Sequence, residues 1–532
     1  MRIWQKVNLW FLLAILGVII ILMPLIFMLL HLFEPPSTNW HNIRTYALRN
    51  IIINTIFITM ISALSASVVG SALAIIMALY NFKGKKIMNI LLILPLAIPP
   101  YISAFTYSSI LSFTGPIQTF FRNSFDVIVN QNLFNIMNLR GAIFIFTITL
   151  YPYVYLIVKA FLENNSASII ENAQILSKSK IHVLLKIILP ILMPSIISGA
   201  ALVSLEVLND FGVSSYFGIR TFSTAIFQAW HGMFDVNLAV SLSLTMIGFV
   251  LSFILICKFF SNDKKYRIVS SKEKNLSKIN LKGFKALLVF SICFFVFSVS
   301  FLIPVLQMIF WSVGSSRSNL FMYARNTAYI SLGATMLILI FNIIVANVSR
   351  LSTRKTKLFL RLSGIGYIIP APVLAISIIS LFVFIESTNV LGDFSFSFSL
   401  FMLVFAYFIK YSTIGLQYIE KGFTKVGNIY TESSRVLGLS ITKTFLKVDI
   451  FTIKNFILGG GILIFIDLVK ELPLTLILRS FNFQTLSTRV YMFAINEQIA
   501  ESAPYSLVII LVSASFIVFA HVLSERTSKQ RI

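Results

Sequence analysis

The sequence predicts an all-α polytopic membrane protein of about twelve transmembrane helices, arranged as two parallel six-helix repeats. Three observations carry this. Of the 532 residues, 57% are hydrophobic and 51 are Phe, a composition that a water-facing surface does not tolerate. Apolar runs of about twenty residues recur along the chain, and in hydrocarbon such runs must be helices, because only a helix pairs its backbone groups within one segment. Motifs of the first half also return in the second at a nearly constant separation.

The first run, 9–30, follows MRIWQK as a secretory signal would, but it is 22 residues long and no small-residue cleavage site follows it. It reads as a retained first helix. Runs at 51–80, 87–112, 141–162, 188–209 and 236–257 complete the first six. The segment 258–285 carries nine basic and two acidic residues with little apolar periodicity, as befits a cytoplasmic linker able to touch anionic lipid. Six further runs follow at 286–311, 326–348, 359–386, 397–418, 452–469 and 504–523. The chain thus divides into an N-terminal helix and external loop (1–49), a first repeat (50–258), a linker with the seventh helix (259–321), a second repeat (322–525) and a tail (526–532).

A net charge of +24 is also what a nucleic-acid-binding protein carries. Here the basic residues cluster in short segments between alternate helices, the pattern of cytoplasmic loops. Placing the N-terminus inside puts 33 of the 43 lysines and arginines on the cytoplasmic side, the 410–454 region included, and an even helix number then puts both termini there. Nucleic acid is not a predicted partner. Cys257 and Cys293 lie at or in apolar runs without CxxC spacing, and His31, His41, His182, His231 and His521 are scattered, so no metal site is assigned.

Self-comparison aligns Asn54-Thr55 with Asn326-Thr327, AIPPYISA (97–104) with IIPAPVLA (368–375), and Glu171 with Glu432, at separations of 272, 271 and 261 residues. The drop of about ten implies a longer external loop in the first half, at 114–140. Beyond it the register reads without gaps: Gly199 with Gly460, Glu206 with Asp467, Asp210 with Glu471, Phe222 with Phe483 and Thr224 with Thr485. Halves with an even number of spans enter the membrane the same way, which gives a pseudo-twofold axis along the membrane normal and a pathway at the interface.

Two polar stretches, ENAQILSKSKIHVLLKIILP (171–190) and TESSRVLGLSITKTFLKVDI (431–450), follow the fourth run of each half. Each begins with a carboxylate, breaks at a small residue (Ser177, Gly438) and resumes as an amphipathic helix, so each reads as helix, turn, helix on the cytoplasmic surface. Gly438 suits a turn with positive φ, which costs Ser177 a steric penalty. A lone stretch of this kind is as well read as an interfacial amphipathic loop. Two at equivalent positions suit a symmetric pair of soluble partners.

The spacing resembles the EAA motif of ATP-binding cassette importer permeases. In the first copy Glu171, Ala173, Ile187, Leu189 and Pro190 match, while Asn172 and Ser177 depart; in the second Glu432 and Gly438 match, while Ser433, Ser434, Val448, Ile450 and Phe451 depart. The resemblance implies a MetI-like permease core in each repeat and a place in the bacterial cytoplasmic membrane. It also implies coupling helices that dock into two copies of a separate ATPase, and an extracytoplasmic binding protein that delivers substrate. The chain has no GxxxxGK[ST] phosphate loop, so ATP chemistry lies elsewhere: it is a transport subunit, not an enzyme, and needs no cofactor. The segments 205–230 and 466–491 further resemble the fused two-repeat ferric iron permeases, and more loosely those for thiamine, polyamines and phosphonates. A major facilitator carrier also has six plus six spans, but its charged Gly/Asp/Arg motif is absent from NFKGKK between the second and third spans.

Glu206 and Asp210 are four residues apart on one helix face, as are Asp467 and Glu471. A rise of about 1.5 Å per residue from Pro190 places Glu206 roughly 24 Å along, near the external end of the fifth span. These four residues and Lys470 are the candidate external gate, or an oxygen-ligand relay for a hard cation such as Fe³⁺. In the bland alternative, Asp467 pairs with Lys470 and the others cap helix ends.

Overall fold

The computed structural model describes residues 9–33, 35, 37–127, 130–165, 180–260, 278–388, 400–427 and 429–529. Among these, ten helices are long and apolar enough to span a membrane: Leu9–Leu30, Leu48–Leu79, Leu139–Glu163, Leu184–Asn209, Val236–Leu255, Phe284–Gly314, Leu320–Leu351, Leu400–Val426, Ile441–Val469 and Ile499–Leu523. Two further pairs, Lys85–Ala97 with Pro100–Phe125 and Arg354–Tyr367 with Ala371–Ser387, bend by 91° and 106°. Counting each bent pair as one crossing gives twelve, six to a repeat.

Proline causes both bends. Pro99 and Pro370, each in extended conformation, precede the helices Pro100–Leu111 and Ala371–Ser387. A proline ring cannot continue the preceding helix and disfavours helical φ/ψ in the residue before it, so the chain turns and a new helix starts. The third span of each repeat is therefore broken at its AIPPYISA-like motif.

The repeats also match at the level of single hydrogen bonds. Asn54 Nδ2 donates to Arg220 O and Asn326 Nδ2 to Gln484 O, both at 3.1 Å. Thr55 Oγ1 accepts from Phe222 N and Thr327 Oγ1 from Leu486 N. Capping boxes open the next helices at Thr221/Thr224 and Thr485/Thr488. These pairs correct the gapless register: Thr221 corresponds to Thr485 and Phe222 to Leu486, so the second repeat holds three extra residues after Glu471. Phe481, 93% exposed, lies in that longer loop. The Asn-Thr pairs sit inside helices that begin earlier, at Leu48 and Leu320, rather than opening them.

The halves interlock. Leu9–Leu30 and Val236–Phe260 of the first half pack on Ala371–Ser387 of the second, and Met28 Sδ accepts from Ser377 Oγ at 2.8 Å. In return Ile303–Gly314 and Ile499–Lys529 pack on the broken third span of the first half. On the linker side, Tyr80–Asn81 pairs in parallel with Ile279–Asn280, a contact the sequence did not announce. On the opposite side Asp235 accepts from Ser37, Asn39 and Leu238 N. Desolvation would raise its pKa, but these donors outweigh it and hold the carboxyl below its ordinary value. The 114–140 loop carries helices Pro116–Phe125 and Gln131–Phe134.

Glycine permits the closest helix contacts. A Cβ on Gly70 would meet Tyr151 O at 2.6 Å and Val154 Cβ at 2.8 Å, and one on Gly199 would meet Val154 Cα at 2.9 Å. Gly70→Val should therefore cost about 1–3 kcal/mol by overpacking, lowering the thermal unfolding midpoint in detergent. Gly248→Ala, where a Cβ meets nothing within 4 Å, should leave the midpoint in place.

Candidate functional site

The two bends and the C-terminal ends of the two fifth-span helices meet around one cavity of about 100 Å³. Its lining is pseudo-symmetric. Leu96, Pro100, Thr149, Glu206, Asn209 and Asp210 come from the first repeat, and Tyr367, Ala371, Lys410, Asp467, Lys470 and Glu471 stand at the equivalent positions of the second. Tyr101, Tyr153 and Tyr411 add phenol rings to the wall. All five residues of the candidate gate are thus brought together.

Their depth differs from the external mouth expected of them. Thr149 lies ten residues, about 15 Å, from the Leu139 end of the Leu139–Asn165 helix, so the cavity stands near mid-height of that helix. The fifth-span helices run through a π-helical turn before they enter the bundle, at Leu184–Ile188 and Phe445–Asp449. Counting from Pro190 gives a distance along the Leu189–Asn209 helix and not a height in the bundle, and that helix ends beside the cavity. Lys410 is the other correction. Grouped by sequence with the cytoplasmic residues of 410–454, it is only 3% exposed, within Leu400–Val426.

Each carboxylate has a distinct local job. Asp210 caps the Gly212–Tyr216 helix, its Oδ2 accepting from Val213 N and Ser214 N at 3.1 Å each. Glu471 caps Pro473–Leu478 through Leu474 N at 3.0 Å and also accepts from Tyr411 OH. These caps satisfy orphan backbone donors where the chain leaves a spanning helix. Asp467 pairs with Lys470 at 2.8 Å. Glu206 accepts instead from Tyr367 OH of the other repeat at 2.9 Å. Asn209 Oδ1 takes Lys410 Nζ at 2.8 Å and Ala371 N at 3.0 Å, and Lys410 also donates to Ile369 O at 3.2 Å. Asn209, Tyr367, Lys410 and Tyr411 escaped sequence reasoning. The alignment of Lys410 with Thr149, inside a run too apolar for an unneeded lysine, was the available signal for one of them.

Among the described residues no group of three or more His, Cys, Asp or Glu side chains could hold a metal ion. Two lysines partly balance the four carboxylates. The arrangement can bind water and polar solutes and can pin helices across the interface; it offers a hard cation passing contacts.

The second polar stretch forms helix Ile429–Val436, a turn in which Gly438 takes φ +86°, and a helix beginning at Ile441. Glu432 lies in the first turn of the first helix, exposed. Beside it Ile429, Tyr430, Val436 and Leu437 are 72%, 57%, 88% and 82% exposed. Below this surface Arg350 pairs with Asp449, stacks on Phe423 at 4.2 Å and donates to Thr431 Oγ1, which itself donates to Asp449. The helix is thereby tied to the ends of two spans. The exit uses the same π-helical turn in both repeats, although Phe451 replaces Pro190. Of the first stretch, Glu171, Ala173 and Ser177 lie outside the described residues, and Pro190 lies in the first turn of the Leu189–Asn209 helix.

Residues 70–267 match the family of binding-protein-dependent transport system inner membrane components. That span is similar to one repeat of such a component, and the remainder of the chain repeats the same plan. A Fe(3+)-transport system permease protein of Haemophilus influenzae is 26% identical over 470 residues, covering 86% of this chain and 87% of that protein. A sulfate transport system permease protein of Salmonella typhimurium is 28% identical over 159 residues, covering 29% of this chain and 55% of that protein. Its Escherichia coli counterpart is 27% identical over 159 residues, covering 29% and 55%.

If Asp467 serves to neutralise Lys470, Asp467→Asn should lower the thermal midpoint of the permease. Adding Lys470→Met should restore part of the loss, because the unpaired cation is then gone. A midpoint unmoved by the single change would leave the ion pair without a structural role.

Proposed function

We propose that this chain is a transmembrane permease subunit of an ATP-binding cassette importer for ferric iron. It would take substrate from an extracytoplasmic binding protein and be driven by a separate ATPase, in two copies. The observation that carries the reading is the correspondence with the Fe(3+)-transport permease along 86% of this chain and 87% of that protein, through both repeats. The sulfate permeases correspond to less than a third of this chain by comparison. A major facilitator carrier is not favoured, because the family match spans the fourth and fifth helices and the loop between them.

In this reading the loops containing Glu171 and Glu432 are the coupling surfaces, with Ala173, Ser177, Pro190 and Gly438 shaping their turns and exits. An exposed acid ringed by apolar side chains fits a cleft with a basic patch and an apolar floor. Both termini and the linker face the same side, the cytoplasm. The central cavity is the pathway, with Glu206, Asp210, Asp467, Lys470 and Glu471 as its polar lining. Iron here is cargo rather than cofactor: oxygen donors suit a hard cation, and the two lysines keep any stop brief. Selection then rests mainly with the binding protein.

Two measurements test this. Uptake of radioactive ferric iron by vesicles containing the permease, its co-purified ATPase and binding protein should depend on ATP. Transport of sulfate, thiamine or a polyamine instead would retain the importer and remove iron. Glu171→Lys with Glu432→Lys should leave the permease in the membrane yet abolish uptake, since reversed charges would face the basic patch; normal uptake by the double variant would sink the docking model.

A further inference from the structure

Among the described residues, hydrogen bonds between residues lining the pseudo-symmetric cavity join the two repeats on one side only. From the first repeat Glu206 and Asn209 reach Tyr367, Ala371 and Lys410 of the second. The same contacts cannot form in the opposite sense, for a chemical reason at every position. Leu96 stands where Tyr367 would and has no hydroxyl. Pro100 replaces Ala371 and has no N–H to offer. Thr149 replaces Lys410 and spends its hydroxyl on Ile145 O in its own helix. Lys470 replaces Asn209 and has donors but no acceptor; it turns to Asp467 within its own repeat.

We propose that Glu206, Asn209, Tyr367 and Lys410 form a one-sided latch that holds the pathway shut, so that opening begins by parting the first repeat's fifth span from the second repeat's broken third span. These are positioning residues: they hold helices and need not touch cargo. The latch has a reason to lie here. Ala371 is the first residue of a helix restarted inside the bundle, and its N–H needs an acceptor that lipid cannot supply. Asn209 provides it and takes the buried Lys410 with the same oxygen. Transport must break these contacts, whereas among the described residues the equivalent lining residues of the other side make no such bonds, and the repeats share there the Ser215–Tyr491 hydroxyl contact at 2.9 Å, outside the cavity lining.

The inference rests on the reading of the cavity as the pathway, but its test needs neither ATPase nor iron. In the full chain carrying Cys257→Ala and Cys293→Ala, Leu96→Cys places a thiol on the cavity wall, and its rate of reaction with a water-soluble methanethiosulfonate reports opening. Tyr367→Phe, which removes one hydroxyl, should raise the rate about tenfold, the change expected for a hydrogen bond to a charged group. Asn209→Asp, which keeps the acceptor and converts the Lys410 contact into an ion pair, should slow it. A merely structural role would not move the rate in opposite directions. Equal rates in all three proteins, or acceleration by both variants, would overturn the latch. Opposite shifts in a protein that carries no iron would retain the latch and remove only the cargo.

Discussion

Hydrocarbon offers no partner to an unpaired backbone group, and this molecule is organised around the two places where it breaks a helix inside the bundle. At Pro99 and Pro370 the third span of each repeat stops and restarts at a steep angle. Nearby the fifth spans end and short helices begin. Every such end exposes donors or acceptors that must be met by protein. Asp210, Glu471 and Asn209 meet them, and the polar side chains gathered for that purpose define the central cavity. The pairing of broken helix ends and the hydrophilic cavity thus have one origin.

The same constraint explains why the repeats diverge where they do. Far from the axis their hydrogen bonds are copies: Asn54 and Asn326, Thr55 and Thr327, and two capping boxes repeat with the same partners. At the axis, residues of the two halves face one another, and two identical donors or two identical acceptors would repel. One half supplies Asn209 and Glu206 as acceptors; the other supplies Lys410 and Tyr367 as donors. Fusion of two repeats in one chain permits this division, which a homodimer with a strict twofold cannot make. The side of the polar loops diverges too. Arg350 and Asp449 tie down the second loop, while Ala78 and Ile188 occupy the aligned positions in the first repeat.

Interlocking makes the two halves one body. The first helix of each half lies against the other half's broken span, so a displacement of one repeat is felt directly by its partner. Close glycine contacts such as Gly70 against Tyr151 leave little room for deformation within a repeat. Motion between repeats is resisted by these interlocked helices and, at the cavity, by the few polar bonds that cross it.

The sequence by itself determined the membrane class, the duplication, the places of twelve apolar segments and the turn at Gly438. Each depends on local composition, periodicity or a backbone preference that a residue carries anywhere. Only the tertiary structure decided which polar residues meet. Lys410 looked like a loop charge because helix position alone cannot show which face looks into the bundle, and Tyr367 and Asn209 carry no charge to draw notice. The three-residue shift after Glu471 was hidden because apolar segments align acceptably in several registers, whereas the capping boxes at Thr221 and Thr485 admit one. The cavity's depth was misjudged from Pro190 because rise per residue measures distance along one helix, while height in the bundle depends on how broken and unbroken helices pack together.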